Sequence, residues 1–234
     1  VRTEVRHRLK QDPFAEQMKE LAAWFTEHQV KIIGGIVIAA IIIGGGFGWW
    51  YHTAQRSETA NAELGAALQT LNAPIMASPV PGVDESYATV KARSEAAEKK
   101  FDSIAGNYSH TKAAAMARYF SGVARMEAGD NAGAEQQLKQ VADSGDASVA
   151  ALARMALASI YASTGRDAQA VAIYQNFIEH PTDTVPKDEA QLQLAGLYAQ
   201  TQPDQAKKIY QQMAKGDPTS PVTQMAQNKL AQLK

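Results

Sequence analysis

Residues 32–51 read IIGGIVIAAIIIGGGFGWWY, a run of 20 residues with no charged side chain. As an α-helix such a run extends about 30 Å, the depth of the hydrocarbon core of a bilayer. A chain that carries it can bury it in a large core, lose it as a leader, or leave it in lipid. A fully uncharged stretch of this length is rare in a soluble core. A leader is disfavoured because 31 residues precede the run and no A-x-A site follows it. The run therefore predicts a transmembrane helix over 32–51. Lys31 closes one end; Trp49, Trp50 and Tyr51, followed by His52 and Arg56, close the other, as aromatic and charged residues do at a membrane interface. Glycine is tolerated in membrane helices, and Gly44 and Gly48 form one GxxxG pair, a candidate packing face within the membrane.

The flanks give the run a direction. Before it lie Arg2, Arg6, Arg8, Lys10, Lys19 and Lys31; the 30 residues after it hold only Arg56. The positive-inside rule then places the N-terminus in the cytoplasm and the long C-terminal part on the other side. Within the N-terminal stub, Pro13 is suited to open a helix. Phe14, Met18, Leu21 and Phe25 follow at spacings of 4, 3 and 4, one apolar stripe, with Glu16, Lys19, Glu20 and Glu27 away from it. Such a stripe, with Trp24 beside it, suits a membrane surface, a partner, or a plain helical lead-in.

The averages of the whole chain conceal this division. With 23 Lys and Arg against 24 Asp and Glu, the net charge is −1, which argues against nucleic acid as a partner. The absence of cysteine excludes disulfides, thiolate metal sites and a cysteine nucleophile. An apolar content of 45% argues against disorder.

Beyond the run, Ala60, Leu64, Leu68 and Leu71 keep a helical pattern. Pro74, Pro79, Pro81 and Gly82 then break it, and helical patterning resumes after Ser86. Gly129, Ala134 and Leu138 recur 36 residues later as Gly165, Ala170 and Tyr174, and Ala206 and Tyr210 fall 36 further on. Ala97 and Phe101 give a fainter upstream copy, one residue out of step. This pattern resembles the tetratricopeptide repeat family, in which paired antiparallel helices stack. The resemblance makes Ala134, Ala170 and Ala206 the small position of the second helix, and Leu138, Tyr174 and Tyr210 the large one. Leu157 and Tyr161, then Leu194 and Tyr198, match the first-helix core. Pro218 matches the closing proline and Pro181 lies one residue from its place. The period of 36 instead of the usual 34, the missing first-helix tryptophan and a shorter last turn are departures. Ser220 and Pro221 read as the start of a last helix with Met225 and Leu230 on one side, suited to cap a solenoid.

The fold expected is all-α: a single transmembrane helix followed by a tetratricopeptide-like solenoid. Its parts are a cytoplasmic stub (1–31), the membrane helix (32–51), a linking helix and Pro-rich loop (52–86), and a repeat domain with a capping helix (87–234). The order of parts, with the runs LAAWFTEHQVKIIGG and FDSIAGNYSHTKAAAMARYFSGVARMEAGDNAGAEQQL, is similar to the ancillary SecYEG translocon subunit family. That resemblance implies a bacterial inner-membrane protein with a periplasmic repeat domain. It would work beside the Sec translocon with a membrane-bound chaperone or prolyl isomerase on unfolded exported proteins. The same architecture also suits a self-associating cell-envelope scaffold for division or for wall or outer-membrane assembly.

Nothing in the sequence points to catalysis or to a cofactor. His7, His28, His52, His110 and His180 have no helical spacing that would pair them on a metal, and phosphate-loop, GxSxG and calcium-loop motifs are lacking. The expectation is a binding face on the first helix of each pair: Met116, Tyr119, Val123, Met126, Met155, Ser159 and Leu192. Methionine adapts to varied apolar partners. The competing expectation is that most of these side chains fill the space between repeats.

Overall fold

The computed structural model describes residues 13–76 and 85–233, without the side chains of some residues between 13 and 50. Arg2, Arg6, Arg8, Lys10, Pro79, Pro81 and Gly82 lie outside the described residues, as do the side chains of Phe14, Phe25, Trp49 and Trp50 and the surroundings of Gly48. The described residues form α1 (Pro13–Leu71), α2 (Val90–Asn107), α3 (Lys112–Glu127), α4 (Asn131–Ala142), α5 (Ala147–Ser163), α6 (Asp167–Glu179), α7 (Lys187–Thr201), α8 (Pro203–Met213) and α9 (Pro221–Gln232). One isolated parallel bridge, Ile75 to Tyr87, is the β-pairing among them. The chain divides into two compact units, Val1–Gln55 and Arg56–Lys234.

In the first unit α1 is helical throughout 13–55. Its described large apolar side chains are not packed away: Met18, Leu21, Trp24, Ile38, Phe47 and Tyr51 are all more than half exposed. Ile41, Ile42 and Ile43 are 67%, 68% and 72% exposed. Among the described residues no helix is long and apolar enough to cross a membrane. Of the 20 residues at 32–51, nine have side chains outside the description.

In the second unit the sequence marks most helix ends. Thr89, Thr111, Asp130 and Asp146 stand just before α2, α3, α4 and α5, and each accepts a backbone N–H of the first turn. Such caps contribute about 1 kcal/mol each. Helices α6, α7 and α8 lack a side-chain cap but open with Asp167, with Asp188 and Glu189, and with Asp204. Those carboxylates complement the positive end of the helix dipole. Gly129 and Gly165 end the first helix of two hairpins at φ +89° and +74°, a conformation that costs other residues about 1–2 kcal/mol. The third hairpin turns on Gln202 alone, at φ −145°, so its shorter turn needs no glycine.

The packing follows the repeat. Ala97 with Phe101, Ala134 with Leu138, Ala170 with Tyr174 and Ala206 with Tyr210 are all buried. The faint upstream copy is thus structurally equivalent in burial to the three clear ones. Hiding Phe101 or Leu138 contributes about 2 kcal/mol each. On the first helices Gly122, Ala158 and Ala195 are buried, which lets the partner helix come close. A Cβ on Gly122 would stand 2.7 Å from Leu138 Cγ.

The unit begins earlier than the pattern of prolines suggests. Residues 52–86 read as a connector, yet Ala67 and Leu71 of α1 share a core with Ala97, Phe101 and Ile104 of α2 and with Ala117 and Ala124 of α3. Residues 56–71 are therefore the first half of an additional hairpin. The break at Pro74 is the turn region of that hairpin, not a boundary between domains.

Candidate protein-binding face

The face expected from the sequence draws on α3, α5 and α7. Met116, Tyr119 and Met126 of α3, Met155 of α5 and Leu192 of α7 are half-buried and lie against the main core. Val123 is half-buried and Ser159 is exposed. Ser159 Oγ donates to the carbonyl of Met155 at 3.3 Å. Met155 also touches a second cluster formed by Ala151, Phe177, Val185 and Ala190. These side chains thus serve the core with one side and leave another side in solvent. Burial raises the Tyr119 and Tyr174 hydroxyl pKa values, so both tyrosines stay neutral donors.

Several charged groups in this unit tie one helix to another. Arg166, at the start of α6, reaches back to α4, where its Nη2 lies 2.7 Å from Glu135. Lys139 Nζ holds the other oxygen at 2.6 Å, and the two bonds bring the Glu135 carboxyl down to about 2. Arg166 also stands over the Tyr161 ring, 4.5 Å from its centre. Arg125 sits among three carboxylates, at 2.7 Å from Glu98, 3.6 Å from Asp102 and 3.7 Å from Asp130. Burial raises the Glu98 pKa against the pull of that guanidinium. Arg93 pairs with Glu127 at 3.0 Å between α2 and α3.

Two devices escaped the sequence reading. Arg118 Nη2 donates to the carbonyl of Ala105 at 3.3 Å, and Arg154 Nη2 donates to that of Ala142 at 2.9 Å. Each guanidinium satisfies carbonyl groups left free at the end of the preceding hairpin's second helix. Their separation of 36 residues was the legible signal. The second device fastens the loop after α1. Glu85 accepts from Thr70 at 2.9 Å, from Tyr87 at 2.6 Å and from Lys100 at 3.1 Å. These bonds lower the Glu85 pKa, and burial with the Glu85 bond raises that of Tyr87 to about 12.

A cleft of about 320 Å³ lies beside this network, lined by Glu63, Ala66, Lys99, Lys100, Ser103 and Ile104. Among the described residues no group of three or more His, Asp or Glu side chains could hold a metal. What the arrangement offers is a set of partly exposed apolar side chains, with the Tyr119 and Ser159 hydroxyls, on helices tied to one another, chemistry suited to a surface that binds polypeptide.

The model of the tetratricopeptide repeat-like domain family matches residues 22–234, and the chain belongs to that family. Two solved structures share its fold: nearly identical TPR-like repeats assigned to a kinesin light chain of Podosopora anserina, and a glutamine-to-methionine variant of them. Their TM-scores are 0.55 and 0.56 at 16% identity, covering 76% of this chain and 86% and 85% of theirs. No curated protein matches. Repeat folds of this kind are protein-interaction scaffolds, and the half-exposed faces of α3, α5 and α7 fit that use.

Proposed function

We propose that the chain is a single-pass membrane protein of the bacterial inner membrane whose repeat unit binds proteins on the periplasmic side and catalyses nothing. One observation carries the anchor. Ile41, Ile42 and Ile43 are consecutive on a helix, so they point about 100° apart and together spread over about 200° of its circumference. All three are at least 67% exposed. A helix apolar on all sides is stable where its surroundings are apolar on all sides, and lipid meets that condition. The basic residues before the run support a cytoplasmic N-terminus.

The likeness of LAAWFTEHQVKIIGG and of the run from Phe101 to Leu138 to the ancillary SecYEG translocon subunits supports a more specific role. In that role the repeat unit sits at the Sec translocon beside a periplasmic chaperone or prolyl isomerase and receives newly exported, unfolded chains. Anchoring confines the unit to the membrane surface, where modest affinities suffice. The test is photo-cross-linking in living cells from probes at Met126 and Met155. Capture of translocon or chaperone subunits is expected. Capture of only further copies of the chain replaces this reading with a self-associating envelope scaffold.

A further inference from the structure

We propose that α1 joins two copies of this chain side by side and parallel, along one seam that starts in the stub and continues into the apolar run. The seam is a matter of helical register. Phe14, Met18, Leu21, Phe25 and His28 succeed one another at spacings of 4, 3, 4 and 3, the 3.5-residue period of a coiled coil, within one helix. With Met18 and Phe25 at a, and Phe14, Leu21 and His28 at d, the charged residues Glu16, Lys19, Glu20 and Glu27 fall at f, b, c and c. Those positions point away from a partner helix. The flanking e and g positions before Lys31 are Ala15, Gln17, Ala22, Trp24 and Gln29, so two parallel copies meet along uncharged edges without like charges facing each other.

The charge of the outer face selects the occupant. A helix that lies on an anionic membrane surface carries Lys and Arg on its polar face. Here that face holds three glutamates and one lysine. Met18 and Leu21 are more than half exposed in the single chain, so the stripe is uncovered there. The same register places Ile32, Gly35, Ala39, Ile42, Gly46 and Trp49 at a, d, a, d, a and d, so Gly35, Ala39 and Gly46 put small residues at half of these positions, where helices approach closely in lipid. Gly44 and Gly48, the pair singled out as a GxxxG motif, fall at f and c, away from the seam. Copies inserted with one topology are necessarily parallel and confined to a plane, which favours this pairing over an antiparallel one. The seam rests on the anchor proposed above.

The chain contains no cysteine, so single cysteines report contacts without background. Met18→Cys, Leu21→Cys and Gly46→Cys are compared with Lys19→Cys, Glu20→Cys and Gly48→Cys in the full chain, in isolated membranes under mild oxidation. Disulfide-linked dimers of twice the chain mass, several-fold more abundant at 18, 21 and 46 than at 19, 20 and 48, are expected. A flat profile, a maximum at 48, no dimer, or a product of another mass overturns the seam. Alkaline carbonate washing of the same membranes reads the anchor separately. Extraction refutes the anchor, whereas retention with a flat profile refutes the seam alone.

Discussion

Two stretches of helix in this chain treat large apolar side chains in opposite ways. In Arg56–Lys234, Phe101, Ile104, Leu138 and Ile160 are buried to within 2% of completely, and alanines of neighbouring helices close over them. In Val1–Gln55, the described isoleucines, Ile38, Ile41, Ile42 and Ile43, are all more than half exposed. One region takes its apolar surroundings from its own neighbours. In the function proposed above, the other takes them from lipid. A mean hydropathy of −0.29 averages these two solutions into a value that describes neither.

Changes that act on one region and spare the other test this contrast. The largest effect belongs to the run. Ile42→Lys combined with Ile43→Lys costs about 6 kcal/mol on an insertion scale, since each central lysine costs about 3. The protein should move from the membrane pellet to the soluble fraction while the repeat unit keeps its melting temperature. Retention in the membrane would count against the anchor. In the repeat unit, Leu138→Ala removes a side chain that touches Gly122 and the core around Ala134. The loss is about 3 kcal/mol, or about 9 °C in melting temperature by calorimetry. An unchanged melting temperature would show that the hairpin tolerates a cavity where it has no room to relax.

The smallest effect is electrostatic. Glu135 is held at about 2, below its ordinary value of 4.5, so its tie to Arg166 and Lys139 is at full strength above pH 4.5 and fades as the pH falls toward 2. Glu135→Gln should therefore melt slightly below the unaltered chain at pH 7, and the gap should close at pH 2. A gap that widens on acidification contradicts the sign of this tie.

The legibility of the chain divides along the same line as its chemistry. Alanine followed four residues later by a large side chain, repeated from Ala134 to Tyr210, is a local pattern with one physical cause, close helix packing. It located three hairpins. Residues 56–71 were legible as a helix but not as half of a hairpin. Nothing in Ala60, Leu64, Leu68 and Leu71 says that their cover comes from Ala97, Phe101 and Ile104, some 30 residues on. The arginine ties were hidden for a similar reason: Arg118 and Arg154 bond to backbone carbonyls 13 and 12 residues away, which any residue could supply. Of the proposed face, the positions on α3, α5 and α7 were legible from helical spacing. The division of each side chain between core and solvent was not, because it depends on how closely the next helix approaches.

The helices of Arg56–Lys234 pack chiefly on their immediate successors, α2 on α3, α3 on α4, and so on to α9. Contacts so close in sequence make for rapid folding, because little loop entropy is lost before each is formed. Such contacts let folding start at any hairpin and spread, and synthesis from the N-terminus adds a direction. Residues 56–71 present the surface on which α2 settles, α2 and residues 56–71 present the one for α3, and each further helix finds its seat already built. During synthesis only the newest helix waits for its cover, so the chain matures in the order in which it is made.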